Sequence, residues 1–310
     1  MFCPIPISDI MPSTLKAGKD VLDGGIRMDL WFTEEWLKGL RISVKVNSVV
    51  YSTVTKYQRL AIYDTVQFGR MLVLDDVIQT TESDEYIYHE SLAHVPMFAH
   101  PNPERVLVIG GGDGGTLREV LKHPSVKEAT LVDIDGGVIE ASKRFMPLWN
   151  SGFSDPRADV IVGDGLEYVA KATADFDVIL VDATDPVGPG EVLFAGEFYG
   201  SVKKALRPGG IMAGQTESPI AEPNVVKSIY DRVKKVFPIT RLYTSPVPSY
   251  PGGWWSYTIA SIGSEPMVPL REPGDDWGLK YYSPEIHKRA FFLNPKMQKD
   301  IGIHNQGTDS

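Results

Sequence analysis

Residues 105–121 read RVLVIGGGDGGTLREVL, and this stretch decides the fold. Residues 106–109 are apolar without alternation, the pattern of a strand buried on both faces. Glycines follow at once, and residues 117–122 then read as a helix. Strand, glycine loop and helix in that order open a nucleotide-type βαβ unit. Gly110, Gly112 and Gly115 satisfy G-x-G-x-x-G, which lets the backbone approach a ligand at the start of a helix. About twenty residues on, Asp133 and Asp135 end the next apolar run, 129–134. One of these acids is expected to hold ribose hydroxyls and the other to be structural. The glycine pattern alone does not separate a dinucleotide from an adenosyl sulfonium. Asp113, inside the loop, tips the balance: its carboxylate repels a pyrophosphate and attracts a sulfonium or ammonium group. The alternative is that Asp113 caps the helix after it, and the two roles can coexist.

Outward from this unit the same rhythm continues. Residues 138–145 read as a helix, 159–162 as a third strand, and Asp164-Gly165 leads into a helix from Leu166. Residues 178–181 form a fourth strand, 197–206 a helix, and Pro208-Gly209-Gly210 opens a fifth strand at 211–213. In 224–237, Val225, Ile229 and Val233 share one helical face. Strands alternating with helices in this way predict parallel βαβ units. Residues 254–261 are β-rich and are expected to add a final edge or antiparallel strand. Upstream the signals change. Residues 41–47 alternate polar and apolar, 58–63 and 70–74 read similarly, and Asp75-Asp76 makes a turn before 77–79. The expected organisation is therefore an antiparallel β domain at 1–80 with a loosely held N-terminus. A Rossmann-like α/β domain follows at 81–270, opened by a helical lead-in (81–104) that ends at the breaker His100-Pro101-Asn102-Pro103. A tail at 271–310 packs on that domain, its last ten or so residues disordered.

Composition narrows the classes. The chain has 310 residues, 43% hydrophobic and 23% charged, which suits a sizeable core. A formal net charge of −9 argues against nonspecific nucleic-acid binding. The single cysteine, Cys3, rules out an internal disulfide or a cysteine metal site and favours a reducing cytoplasm. No apolar run approaches transmembrane length, so no membrane partner is expected. The histidines show no metal spacing.

A second acidic spot lies at 181–189, VDATDPVGP, directly after the apolar run 177–181. Asp182 and Asp185 sit three apart where open α/β sheets place ligands, at a strand end facing the crevice. Two carboxylates there suit a cationic substrate, and one could accept a proton from an amine. The plainer reading is a helix cap and a turn aspartate.

Taken together with LDDVIQ at 74–79, DEYIYHE at 84–90 and PSYPGG at 248–253, these motifs are familiar. The chain resembles the polyamine aminopropyltransferases, the spermidine synthase family, from about residue 47 to 293; Tyr281-Tyr282 and Ile286-His287 also fit. The resemblance implies a methyltransferase-like Rossmann domain with a mostly parallel sheet behind an N-terminal antiparallel β domain. It implies transfer of the aminopropyl group of decarboxylated S-adenosylmethionine, a co-substrate rather than a cofactor, to putrescine, giving spermidine and methylthioadenosine. It also implies a homodimer or homotetramer. Carried over by position, Asp182 activates the attacking amine, with Asp185 and Tyr88 as companions in the acceptor site and Tyr250 closing it. Glu217 takes the acceptor's distal ammonium. Asp113 and His89 face the donor's aminopropyl chain, and Gln58 and Gln79 line the donor side. Asp133 takes the ribose, Asp164 and Gly165 the adenine, and Pro189, Gly190 and Leu193 wall the adenine. Three features depart from the family pattern. Asp133 stands where glutamate is usual, His89 is glutamine in some relatives, and Trp254-Trp255 makes the acceptor end bulkier.

Other acceptors (cadaverine, agmatine, spermidine) differ by a few atoms and remain open. An S-adenosylmethionine-dependent methyltransferase fits the fold but does not need the acid pair or Tyr88-His89. A nicotinamide dehydrogenase fits the glycines but not Asp113. A noncatalytic protein on this fold would not need every catalytic position filled.

Overall fold

The computed structural model describes residues 15–22, 25–183 and 196–303. The chain divides into two compact units, Met1–Asp84 and Glu85–Ser310.

The N-terminal unit is an antiparallel sheet of six strands in chain order. These are β1 (Leu15–Leu22), β2 (Gly25–Leu37), β3 (Leu40–Val54), β4 (Arg59–Thr65), β5 (Gly69–Leu74) and β6 (Val77–Thr81). Phe32, Val44, Val46, Tyr63, Met71 and Val73 form its core. The expected turn at Asp75-Asp76 has φ of 46° and 69°. Both residues are left-handed, as tight hairpin turns require, and aspartate tolerates that better than most side chains. Arg59 braces the turn: its amide donates to Asp75 Oδ1 (2.9 Å) and its guanidinium to Asp76 Oδ2 (2.6 Å).

The sequence reading did not place β1 and β2, which pair with each other, and β2 pairs with β3 from Leu30↔Val46 onward; residues 1–14 lie outside the described residues. The signal was hidden by Glu34. It points inward with Phe32, but its carboxylate accepts the Ile78 amide proton (2.9 Å), so a charge stands where a sequence pattern demands an apolar residue.

The second unit opens with α1 (Glu85–Ala99), which is buried on nearly every side. Then come β7 (Arg105–Gly110), α2 (Gly115–Leu121), β8 (Glu128–Asp133), α3 (Gly136–Phe145), β9 (Ala158–Val162), α4 (Gly165–Lys171), β10 (Phe176–Asp182), α5 (Gly196–Ala205), β11 (Leu206–Gln215), α6 (Pro223–Val236), β12 (Ile239–Ser245) and β13 (Trp255–Ser261). The sheet order is β12-β13-β11-β10-β7-β8-β9. The pairings among β7 to β11 are parallel, and β13 runs antiparallel to both β11 and β12. Alternate residues of the central strands face opposite layers. Val106 and Val108 pack with Leu92, Leu117 and Val120, whereas Leu107 and Ile109 pack with Phe198, Val202 and Ile229. Residues 254–261 were expected at an edge or as an antiparallel strand. β13 is antiparallel but internal, and β12, which the sequence reading missed, is the edge.

The tail is tied down rather than loose. The buried Glu90 carboxylate accepts the amide protons of Lys280, Tyr281 and Tyr282 (2.8, 2.8 and 2.7 Å). Helices α7 (Pro284–Ala290) and α8 (Pro295–Ile301) follow. Met297, Ile301 and Ile303 pack with Val226 and Tyr230 of α6. Residues 304–310 lie outside the described residues. Among the described residues no helix is long and apolar enough to cross a membrane.

Candidate active site

Strand order reverses between β7 and β10, the two strands that start opposite halves of the sheet. An open α/β sheet forms its ligand crevice at such a switch point, outside the carboxyl ends of the strands. Gly110 ends β7 and Asp182 ends β10, and the two are register partners. The Gly111 amide donates to the Asp182 carbonyl (2.8 Å). Gly110 has φ of 81°, and a Cβ there would run into that carbonyl. Gly115 has a different reason: a Cβ would enter the His89 ring. The glycine loop thus serves the close approach of Asp182 and His89.

Both oxygens of the Asp182 carboxylate are held. Tyr88 Oη donates to Oδ1 (2.7 Å) and Thr116 Oγ1 to Oδ2 (2.6 Å). Burial, then the nearby Asp113 carboxylate, raise the Asp182 pKa above the ordinary range, while His89 and the two hydroxyl donors oppose that rise. Burial and the facing Asp182 push the Tyr88 phenol far above its ordinary value, so it stays a donor. Tyr88 also meets Tyr250 edge-on, with centroids 5.7 Å apart, and Tyr250 meets Trp255 at 4.7 Å. These rings wall an aromatic side of the site.

Asp113 meets the start of α2, as the capping reading expects, and also faces His89. Its Oδ1 accepts the Gly115 amide proton at the start of α2 (2.9 Å), and its Oδ2 lies 3.2 Å from His89 Nε2. The other ring nitrogen, Nδ1, lies 2.6 Å from Glu85 Oε2. Burial works against a charge on His89, but Asp113 and Glu85 outweigh it and raise the pKa to about 10. Held between two carboxylates, the ring favours the imidazolium, and His89, Asp113 and Asp182 offer ligand atoms within 4.8 Å of one another.

Of the two acids at the end of β8, one takes the expected structural role. Asp135 caps α3, accepting the Gly137 amide proton (3.0 Å). Asp133 turns toward the glycine loop, accepting from Gly112 N (2.9 Å) and Asp135 N (2.8 Å). Burial raises its pKa to about 6 against those two donors. Asp164 caps α4 through Leu166 N (2.8 Å) and Glu167 N (3.3 Å), and a Cβ at Gly165 would meet Ile109.

Glu217 is buried with φ of 76°, an uncommon conformation for a side chain of its size. Its carbonyl accepts from Ser256 N (3.0 Å) and Oγ (2.7 Å), and its amide donates to Gln215 Oε1 (3.0 Å). Gln215 Nε2 in turn donates to Ala183 O (3.1 Å), tying the Glu217 turn to the residue after Asp182. Gln58 and Gln79 belong to the N-terminal unit. Gln58 closes a turn with Thr55 (2.9 Å), and Gln79 Nε2 donates to Val77 O (3.2 Å). Asp185, Pro189, Gly190 and Leu193 lie outside the described residues. The sequence reading missed Thr116, Glu85, Arg118, Gln215 and Ser256. Only the Glu85–His89 spacing of four on one helix signalled a pair.

The N-terminal unit matches the family model "spermidine synthase tetramerisation domain" over residues 30–82. The second matches "spermine/spermidine synthase domain" over 85–269. The polyamine aminopropyltransferase of Bacillus subtilis (strain 168) is 49% identical over 273 residues, 88% of this chain and 99% of that protein. That of Bacillus mycoides (strain KBAB4) is 48% identical over 274 residues, with the same coverage. A spermidine synthase crystallised with the transition-state analogue AdoDATO superposes with a TM-score of 0.87 at 41% identity, covering 96% of this chain and 100% of its own. Spermidine synthase from Thermotoga maritima gives 0.83 at 42% identity, covering 88% and 95%. With family models matching within each unit and solved relatives following nearly all of the chain, it belongs to the spermine/spermidine synthase family.

Proposed function

We propose that this transferase moves the aminopropyl group of decarboxylated S-adenosylmethionine to putrescine, giving spermidine and methylthioadenosine. The observation that carries this is the Asp182 carboxylate at the switch point, held at both oxygens by Tyr88 and Thr116 and faced by a second carboxylate, Asp113. The amine nitrogen forms a bond to the carbon beside the sulfonium, and the carbon–sulfur bond breaks toward sulfur. The thioether leaves neutral, so it needs no acid. The demand falls on the nucleophile, because an alkyl ammonium has a pKa of about 10.4 and little free amine exists at pH 7. Asp182 binds that ammonium and accepts its proton, and its raised pKa makes it a better acceptor than an ordinary aspartate. Tyr88 and Thr116 fix which lone pairs remain free for the amine. Holding amine and sulfonium in line supplies several kcal/mol of the barrier.

Asp113 attracts the donor's cationic chain, Asp133 receives the ribose, and Asp164 and Gly165 border the adenine. Glu217 and Tyr250 set the acceptor's register, and the family resemblance assigns Asp185 to the acceptor and Pro189 and Leu193 to the adenine. Acceptors one or two methylenes longer than putrescine compete, since a methylene is worth only about 1–3 kcal/mol. The match to a tetramerisation domain supports a homo-oligomer built through the N-terminal unit. The test is donor choice. With putrescine present, the protein should release methylthioadenosine from decarboxylated S-adenosylmethionine and no S-adenosylhomocysteine from the intact donor. S-adenosylhomocysteine as the product would replace this reading with methyl transfer.

A further inference from the structure

We propose that the acceptor amine meets the Asp182 carboxylate at Oδ1, and that Thr116 is the positioning residue which, with the Gly111 backbone, closes Oδ2 and fixes the plane of the carboxylate. This rests on the reading of Asp182 as the group that takes the amine's proton. An aspartate carboxylate turns easily about its Cβ–Cγ bond, because that torsion is broad. One hydrogen bond leaves such a group free to swing about its anchor, and two from different directions hold it. The anchors of Asp182 come from two helices: Tyr88 of α1 donates to Oδ1 (2.7 Å) and Thr116 of α2 to Oδ2 (2.6 Å).

The two oxygens differ in what surrounds them. A Cβ on Gly111, which has φ of 68°, would lie 2.8 Å from Oδ2 and 3.2 Å from Val108 Cγ1. The chain itself therefore stands against Oδ2, and Thr116, fully buried, takes a lone pair of the same oxygen. Oδ1 lies on the aromatic side of the site, since its partner Tyr88 meets the Tyr250 ring at 5.7 Å. A carboxylate oxygen has two lone pairs, so Tyr88 leaves one on Oδ1 for the amine.

Thr116 also departs from the habit of its residue type. In a helix a threonine hydroxyl commonly turns back to the carbonyl three or four residues earlier. Thr116 stands in the first turn of α2 and gives its one hydroxyl proton to the end of β10 instead. Its branched Cβ restricts the side-chain torsion, so the donor is held ready.

The test separates the hydroxyl from the space it fills. Thr116→Val keeps the shape of the side chain and removes the donor. Single-turnover formation of methylthioadenosine from saturating decarboxylated S-adenosylmethionine and putrescine should fall by about tenfold, the cost of a loosened reacting group. The putrescine concentration giving half the maximal rate should not rise, because the charge that attracts the ammonium remains. Thr116→Ser keeps the donor and should run within about threefold of the parent. Packing alone predicts the opposite order, since valine fills the space of threonine and serine leaves a gap. In an Asp182→Asn background, Thr116→Val should cost nothing further, as for two residues acting through one contact.

Thr116→Val within about twofold of the parent rate overturns the proposal, as does Thr116→Ser no faster than Thr116→Val. So does a Thr116→Val loss that is undiminished in the Asp182→Asn background. A crystal structure with putrescine and methylthioadenosine gives a readout independent of rate and of whether Thr116→Val folds. An acceptor nitrogen within about 3.2 Å of Oδ1 is the expected result, and a nitrogen bonded to Oδ2 instead overturns the proposal. Parental turnover in Asp182→Asn alone would reject the reading of Asp182 on which this rests, whatever the Thr116 variants do.

Discussion

Replacing Asp182 by asparagine removes one charge and almost no volume. Asp182 Oδ1 and Oδ2 each accept from a hydroxyl, Tyr88 at 2.7 Å and Thr116 at 2.6 Å. The asparagine oxygen keeps one of these bonds, and its NH2 donates to the other hydroxyl after that O–H rotates. The fold should therefore lose about 1 kcal/mol or less, the net worth of one ordinary hydrogen bond. Catalysis should lose far more, because an amide cannot accept the ammonium proton and no longer attracts the cation. Lost proton transfer alone is worth about 100- to 10,000-fold, or about 3–5 kcal/mol at 1.36 kcal/mol per tenfold. Single-turnover formation of methylthioadenosine from saturating decarboxylated S-adenosylmethionine and putrescine isolates this step from product release. Thermal unfolding run alongside controls for folding. Turnover within about threefold of the parent, with the melting temperature unchanged, would refute the assignment of Asp182 as proton acceptor.

Three further outcomes follow from the same geometry. Asp113→Ala should weaken decarboxylated S-adenosylmethionine by at least about tenfold more than methylthioadenosine in calorimetric titration, and equal losses would contradict its role toward the aminopropyl chain. Asp133, raised to about 6 by burial, must be ionised to accept two ribose hydroxyls. Methylthioadenosine affinity should accordingly fall as pH drops through about 6, and Asp133→Asn should bind weakly with a flat profile; a flat profile in the parent would contradict the ribose role. Glu90→Gln should cost about 2–3 kcal/mol in denaturant unfolding, because three backbone amides lose a charged acceptor and one meets an NH2 group; a loss below about 0.5 kcal/mol would show that Glu90 does not anchor the tail.

The parallel sheet was legible because residues 106–109, 129–134 and 178–181 are apolar runs punctuated by glycine and aspartate. The sheet's order was not, because period and punctuation say nothing about which strand lies beside which. β13 therefore passed as a candidate edge, although β12 flanks it. Strand β2 was lost to a single inward carboxylate, Glu34, whose partner is an amide 44 residues away. The convergence of Asp113, Asp133 and Asp182 in one unit was visible from motifs that end strands or open helices, whereas Tyr88 and His89 came from the family resemblance. What stayed hidden were the residues that hold these groups. Thr116 reaches Asp182 across 66 residues, and Arg118 reaches Glu85 across 33. Neither side chain is unusual in its own stretch of sequence, and only folding gives it a partner. His89 shows the difference in kind: the motif identified the residue, and the structure showed that both its nitrogens are engaged.

The most direct measurement offers the purified protein decarboxylated S-adenosylmethionine with equimolar putrescine, cadaverine, agmatine and spermidine, and identifies products by mass spectrometry. Spermidine as the main product, formed one-for-one with methylthioadenosine, is the predicted result. Folded protein that yields neither an aminopropylated amine nor methylthioadenosine would contradict the account.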